Sequence, residues 1–508
     1  MVLPAARFYA FLTALALVAC AGDPDIATPP TPVSSPVSGP EARPATADEA
    51  GFATDATRRP VTARHEMVTA ANPLASAAGL RILRQGGNAL DAAIAVQIML
   101  TLVEPQSSGI GGGGFLMHFN GKSGEISAYE GRETAPAATT ENDFLDTATG
   151  KALPRDRTRV GGLSAAVPGS LRMLEMAHRK HGKLPWAALF EPTIEMARSG
   201  FKVSKRLHQS IRRDRYLRTY PAARSYFFDA AGKALAVGAT LKNPALADTL
   251  EQVARKGATA FYSGAIARDI AAAARSDAHR PGKMTAADVQ GYTAKKRGQL
   301  CGPYRSWLVC GFGPPTAGGV TTLMTLALLE PFDLSRLGPN SVEAVHLFAE
   351  AMRLANADRL RYVGDPDFIE VPLAGMLDLR YLARRARLIH ADRTMAHASP
   401  GKIPLTGRRA MNLAPSEDEE QPSTTHLNVI DRDGNTVALT ASVGDAFGSR
   451  LFVRGFILNN HATDFTAVPR TSSGRPKVNR AEGGKRPRSA QSPTLVFDGS
   501  GRLVMAVG

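Results

Sequence analysis

Residues 89 to 103, "ALDAAIAVQIMLTLV", constrain the fold more than any other stretch of this chain. A helix that is apolar on nearly every face is stable only when other layers cover it all round. Asn88 stands ready to cap it, and Gly86-Gly87 separate it from a preceding helix, "PLASAAGLRILRQ", which Asn72-Pro73 would cap and start. Before that pair, "HEMVTAA" reads as a strand. After it comes the Gly-rich loop "EPQSSGIGGGGF" and the strand "FLMHF". This loop has no GxxxxGK[ST] pattern and precedes a strand rather than a helix, so close backbone packing is expected in place of a phosphate cradle.

The chain is long enough for the large core this implies, with 508 residues, 44% hydrophobic and 21% charged. A net charge of +15 is spread over several places and no nucleic-acid motif accompanies it, so it reads as surface character. The basic segment "VSKRLHQSIRRDRYLR" (203–218) is expected to be a solvated helix face. His178 and His181, in "HRKH", lack a carboxylate or Cys in step and read as exposed residues. Without HExxH or GxSxG, metalloprotease and esterase chemistry have no support.

The N-terminus reads as an export signal. Arg7 precedes an apolar run from Phe8 to Ala19, too short to span a bilayer, and the run ends in the lipobox-like Leu17-Val18-Ala19-Cys20. Residues 1–20 are therefore expected to be a lipoprotein-type signal peptide, with Cys20 lipidated and Ala21 favouring an outer-membrane anchor that faces the periplasm. Residues 21–60, rich in proline, form a tether. Cys301 and Cys310, in "LCGPYRSWLVCGF", lie on two expected strands joined by a "GPYRS" turn; a disulfide and a pair of buried thiols are equally open readings.

At 416 to 435, "SEDEEQPSTTHLNVIDRDGN", an acidic loop stops at two threonines and a strand runs into Asp433-Gly434. Polar and apolar residues alternate on both sides of that pair, which is a strong hairpin signal. A three-residue loop with Gly434 in the left-handed position would set Thr424 opposite Ser442; a two-residue loop would bring Val443 there instead. A threonine at a chain's N-terminus carries its own base, because an α-amine has a pKa near 8, below that of lysine. For Thr424 this requires a cut after Ser423. On local residues alone, the start of an ordinary strand is much the better explanation of "TTH".

In order from about residue 65 onward, the chain carries "ANPLASAAGLRILRQGGNALDAAIAVQIMLTLVEPQSSGIGGGGF", "GRETAP", "VPG", "PPTAGG", "TTH", "DGN", "LNN", "DF", and "KRP" followed by "SPT". This series resembles the γ-glutamyltransferase family of N-terminal-nucleophile enzymes. The resemblance implies an α/β fold, a four-layer αββα sandwich, with a large subunit at 61–423 and a small subunit from 424. It implies self-cleavage between Ser423 and Thr424 and an acyl-enzyme on Thr424. The γ-glutamyl group of a small molecule such as glutathione then passes to water or an amino acid, with no cofactor, no nucleic acid, and membrane contact only through the lipid anchor.

Residue by residue, Ser442 stands where the family has a hydroxyl supporting the nucleophile. Arg132 matches the arginine that holds the donor's α-carboxylate; its competing reading is a surface ion pair with Glu133 or Glu130. Asp464 matches the acid that reads the α-ammonium, and Ser489 the first of two adjacent serines at the carboxylate. Gly444 stands where the family has an asparagine, His461 where it has Gln or Glu, and Ala490 where the second serine would be. These departures open two alternatives: a cephalosporin-acylase-like enzyme for acyl groups lacking the α-amine, and an unprocessed, noncatalytic binding lipoprotein. The family continues past this chain's Gly508 into a "PGG"-type turn that supplies the oxyanion hole, so the resemblance implies that the small subunit, 424–508, is incomplete. Whether the basic run Arg470 to Arg488 covers the site or is a solvated loop stays open.

Overall fold

The computed structural model describes residues 60–338, 340–405, 412–417 and 423–508. The leader, Cys20 and nearly all of the tether lie outside the described residues. Strands β1 (Met67–Thr69), β2 (Gly113–Phe119), β3 (Ile126–Glu130), β4 (Lys295–Arg297), β5 (Gln299–Tyr304), β6 (Trp307–Phe312), β7 (Thr425–Ile430), β8 (Thr436–Ser442), β9 (Thr494–Phe497) and β10 (Leu503–Val507) form the two large sheets. One is six-stranded in the order β1-β7-β8-β2-β3-β4, the other four-stranded in the order β10-β9-β6-β5. Every pairing in them is antiparallel.

The layers follow from the two-residue period of the strands. On β2, Phe115, Met117 and Phe119 meet Phe312, Leu495 and Phe497 of the facing sheet. The intervening Leu116, with Val437 and Leu439 of β8, joins a second core against the helices α1 (Pro73–Arg84) and α2 (Ala89–Val103). Every residue of α2 is buried, as its all-round apolar sequence requires. Asn72 and Asn88 cap the two helices through their side chains, the second with Asp91 in a reciprocal capping box. Beyond the four-stranded sheet, α4 (Gly318–Leu329) and α5 (Val342–Tyr362) share a core of their own. The expected αββα order is thus present, and the segments on either side of Thr424 contribute strands to both sheets.

The Gly-rich loop is packed as tightly as its sequence suggests. Added Cβ atoms on Gly111, Gly112, Gly113 and Gly114 would stand 2.0, 2.1, 2.2 and 2.3 Å from the carbonyl oxygens of Ile457, Ser442, Gly131 and Thr440. Backbone oxygens cannot rotate away as a side chain can. Gly112→Ala is therefore expected to destabilise the fold by at least about 2 kcal/mol, read as a lowered thermal melting temperature, and to displace Ser442 with it.

Cys301 and Cys310 are in direct register on β5 and β6 and are joined by a disulfide. One expectation about charged residues needs correction, and one open question is narrowed. His178 and His181, on α3 (Ser170–His181), are half-buried rather than exposed: His178 Nε2 bonds the Leu184 carbonyl at 2.9 Å, and the His181 ring stacks on His118 at 4.1 Å. The second half of the basic run 470–488 is not solvated either. Lys485, Arg486 and Arg488 are buried, Lys485 donating to the carbonyls of Val478 and Arg480, Arg486 pairing with Glu130 at 2.6 Å.

Candidate active site

The hairpin β7-β8 has the register that favours the serine. Pairing runs from Thr436 opposite Ile430 to Ala441 opposite Thr425, so the next step sets Thr424 across from Ser442. Asp431 and Asn435 close a three-residue loop, with Gly434 at φ 76°. β2 supports the far side of β8, holding Gly113 opposite Ser442.

A cavity of about 370 Å³ opens at this end of the sheets, and Arg132, Thr424, Ser442, His461, Asp464 and Ser489 all line it. Of the residues expected in the site, Ser423 lies just behind. Its hydroxyl donates to the Gln106 carbonyl at 2.9 Å, and its own carbonyl accepts a 2.7 Å hydrogen bond from Ser442 Oγ. The Ser442 hydroxyl is oriented by the Gly444 N–H, which donates to it at 2.8 Å. Loop 104–107 backs this arrangement, with the Val443 and Phe447 N–H groups donating to the carbonyls of Ser107 and Gln106. Glu104 anchors the loop: burial raises its pKa, and the Arg206 guanidinium beside it works against that rise.

Arg132 is 1% exposed, and so not the surface residue of the competing reading. Its Nε donates to the Pro487 carbonyl at 3.0 Å, Nη1 reaches Glu133 at 3.3 Å, and Nη2 donates to Asp464 at 2.5 Å and to the Arg488 carbonyl at 3.1 Å. The ion pair with Glu133 therefore exists, but inside the protein, while Glu130 pairs with Arg297 and Arg486. Behind Arg132, the buried Glu133 carboxylate meets His461 Nδ1 at 2.8 Å. Burial alone would raise Glu133, but the charge and hydrogen bond of His461, with Arg132, hold its carboxyl below the usual range.

The departures at 444 and 490 have structural readings. Gly444 has φ 98°, and a Cβ there would lie 1.8 Å from Asn460 Oδ1, so this backbone leaves no room for an asparagine. Ser489 is held by its backbone, donating to Pro315 and accepting from Ala317, whereas Ala490 brings only a methyl to the cavity wall.

Arg359, Arg488, His426 and Thr440 also line the cavity and were not singled out from the sequence. His426 was legible, since strand alternation sets it on the same face as Thr424. Its Nδ1 meets Thr440 Oγ1 at 2.8 Å and its Nε2 Asn428 Oδ1 at 2.9 Å; burial lowers its pKa. Arg488 donates to the carbonyls of Arg359 and Val363 at the end of α5.

Residues 75–508 match the family model described as Gamma-glutamyltranspeptidase. The glutathione hydrolase proenzyme of Bacillus subtilis (strain 168) is 36% identical over 447 residues, which cover 87% of this chain and 74% of that protein. The crystal structure of Helicobacter pylori gamma-glutamyltranspeptidase superposes with a TM-score of 0.64 at 33% identity, covering 68% of this chain and 97% of that one. Cephalosporin acylase from Bacillus halodurans gives a TM-score of 0.72 at 26% identity, over 89% of this chain and 80% of its own. With its αββα sandwich, its cavity at the β7-β8 end and these relatives, the chain is an enzyme of the gamma-glutamyltranspeptidase family.

Proposed function

We propose that this protein is a γ-glutamyltransferase and glutathione hydrolase that cuts itself between Ser423 and Thr424 and then uses Thr424 as its nucleophile. The observation that carries the reading is the 2.7 Å hydrogen bond from Ser442 Oγ to the Ser423 carbonyl, with Thr424 set across from Ser442. That carbonyl belongs to the bond to be cut. As the Thr424 hydroxyl adds to it, negative charge grows on the oxygen that Ser442 already contacts, which is where a donor helps most. The Thr424 C–O bond forms, the Ser423–Thr424 C–N bond breaks, and the Thr424 nitrogen takes the hydroxyl proton. Water then hydrolyses the ester, leaving Ser423 as a carboxylate and Thr424 with a free amine.

In the processed enzyme that amine accepts the hydroxyl proton as Thr424 attacks a γ-glutamyl amide. The leaving amine departs with a proton, and water or an amino acid releases the glutamyl group from the ester. The donor's head group is zwitterionic, and the Arg132–Asp464 pair matches it. Insertion of an α-ammonium and an α-carboxylate exchanges one protein ion pair for two pairs with substrate, with no charge left over. An acyl group without the amine would compete with Asp464 for Arg132, which favours the γ-glutamyl reading over the acylase one. The lipobox at Cys20 and the Pro-rich segment behind it support a lipid-anchored periplasmic enzyme, processed into a large and a small subunit.

Ser442→Ala tests the cleavage step. Loss of one such donor is expected to slow the appearance of the small fragment by roughly 100 to 1,000-fold. Ser442→Thr, which keeps the hydroxyl, should cut close to the native rate. A Ser442→Ala chain that processes as fast as the native one, in a timed denaturing gel, removes the main support for this mechanism.

A further inference from the structure

The loop 487–491 is built around Arg132. The carbonyls of Pro487 and Arg488 accept two of its N–H groups, Glu133 and Asp464 take two more, and a fifth, on Nη1, is left over. Farther along, the backbone of Gln491 is held on both sides: its N–H donates to Ser489 Oγ at 3.1 Å, and its carbonyl accepts the hydroxyl of Thr316. Its side chain is not held in this way. Gln491 is 9% exposed and lines the catalytic cavity, yet among the described residues neither end of its amide has a hydrogen-bond partner. Oε1 is sealed inside the protein and Nε2 is not, so the N–H groups are what the amide turns to the cavity. We infer that Gln491 is a further substrate-reading residue, whose amide donates to the α-carboxylate of the γ-glutamyl donor. The inference rests on the γ-glutamyl reading and adds to it one residue of its head-group subsite.

An unpartnered amide at a cavity wall destabilises the empty protein, where an apolar side chain of the same length would fill the space without that cost. What the amide adds is a donor whose acceptor arrives with the ligand. The donor's α-carboxylate is the group that needs one. A carboxylate has about four lone-pair sites to satisfy once water is displaced. Arg132 supplies two N–H groups, the one left over on Nη1 and the one on Nη2 that Asp464 releases as it turns to the ammonium. Ser489 Oγ accepts from Gln491 and donates to nothing among the described residues, so its proton is a third. Between them Ala490 brings only a methyl to the wall. The next polar side chain of the loop is Gln491, and its Nε2 supplies the fourth. Turned the other way, the amide would offer the cavity an acceptor instead, and the test separates the two.

The test exchanges the amide for an apolar and for an acidic counterpart and follows turnover of γ-glutamyl p-nitroanilide. In Gln491→Met, KM should rise about 10-fold with kcat little changed. Self-cleavage before Thr424 should keep its native rate, because the uncut chain holds no α-carboxylate there. In Gln491→Glu, a carboxylate would face the substrate's own, and KM should rise about 100-fold. A KM for Gln491→Glu below that of Gln491→Met would mean that the position accepts a hydrogen bond from an ammonium or amide N–H, and overturns the inference. A KM within twofold of native in Gln491→Met also overturns it. So does a loss of kcat or of self-cleavage as large as the rise in KM, which would assign the amide to the fold. If Gln491→Met does not fold, Gln491→Glu, closer in shape to the native residue, decides alone, and a KM within twofold of native overturns the inference. Native enzyme that does not turn over the anilide overturns the γ-glutamyl reading itself, an outcome distinct from a native enzyme that is active and variants that keep its KM.

Discussion

Thr424→Ala is expected to yield one chain that stays whole on prolonged incubation, where the native protein is expected to give two bands with the smaller beginning at Thr424. Hydrolysis of a γ-glutamyl anilide should fall by about 10,000-fold or more, because in the proposed mechanism the self-cleaving hydroxyl and the acyl-carrying nucleophile are the same atom. The neighbouring threonine cannot take over. Thr425 is 2% exposed, its hydroxyl has no hydrogen-bond partner among the described residues, and strand alternation turns it with Leu427 and Val429 toward the core beneath α2. Thr425→Ala should therefore cut and turn over nearly as the native enzyme does, and Thr424→Ser should cut more slowly at the same bond. Thr424→Ala that still gives two fragments with the same boundary would refute the assignment of the nucleophile.

The contrast between these two threonines shows what the sequence could carry. Period-two alternation and Asp433-Gly434 were enough to announce the hairpin, but they left its loop two or three residues long; the register of the folded strands makes it three and sets Ser442 opposite Thr424. The helix caps at Asn72 and Asn88 and the close packing of Gly111 to Gly114 were legible for the same reason: each depends on a residue type and its immediate neighbours. Arg359 left no such mark. It lies on a helix of the outer layer, and only the stacking of that layer on the four-stranded sheet brings it to the cavity. Local charge could not decide 485–488, where a run of cations fits a cover over the site and a solvated loop alike; its partners are the distant Glu130 and backbone carbonyls, including those at the end of α5, and carbonyls have no signature in a sequence. The resemblance identified Arg132 and Asp464 as substrate-binding groups, but not that they bind each other across 332 residues of chain.

That pair sets the second large effect. Arg132→Gln should lower kcat/KM for γ-glutamyl anilide by about 100 to 1,000-fold, mostly through KM, and should cost roughly 3 to 5 kcal/mol of stability, because removing one member of a buried ion pair leaves the other charge uncompensated. The stability loss arises at Glu133, which is fully buried and keeps His461 as its ion-pair partner among the described residues, and at Asp464. Arg132→Lys should rescue little. One ammonium has three donors at a point, whereas Arg132 spreads its contacts over two carbonyls and two acids. Asp464→Asn separates recognition from stability: it keeps Arg132 and Glu133 paired, so it should weaken the γ-glutamyl compound while leaving a glutaryl anilide, which lacks the amine, little changed. In native enzyme the γ-glutamyl compound should be strongly preferred. Equal rates on the two anilides would mean that Asp464 does not read an ammonium and that the Arg132–Asp464 pair serves the fold alone.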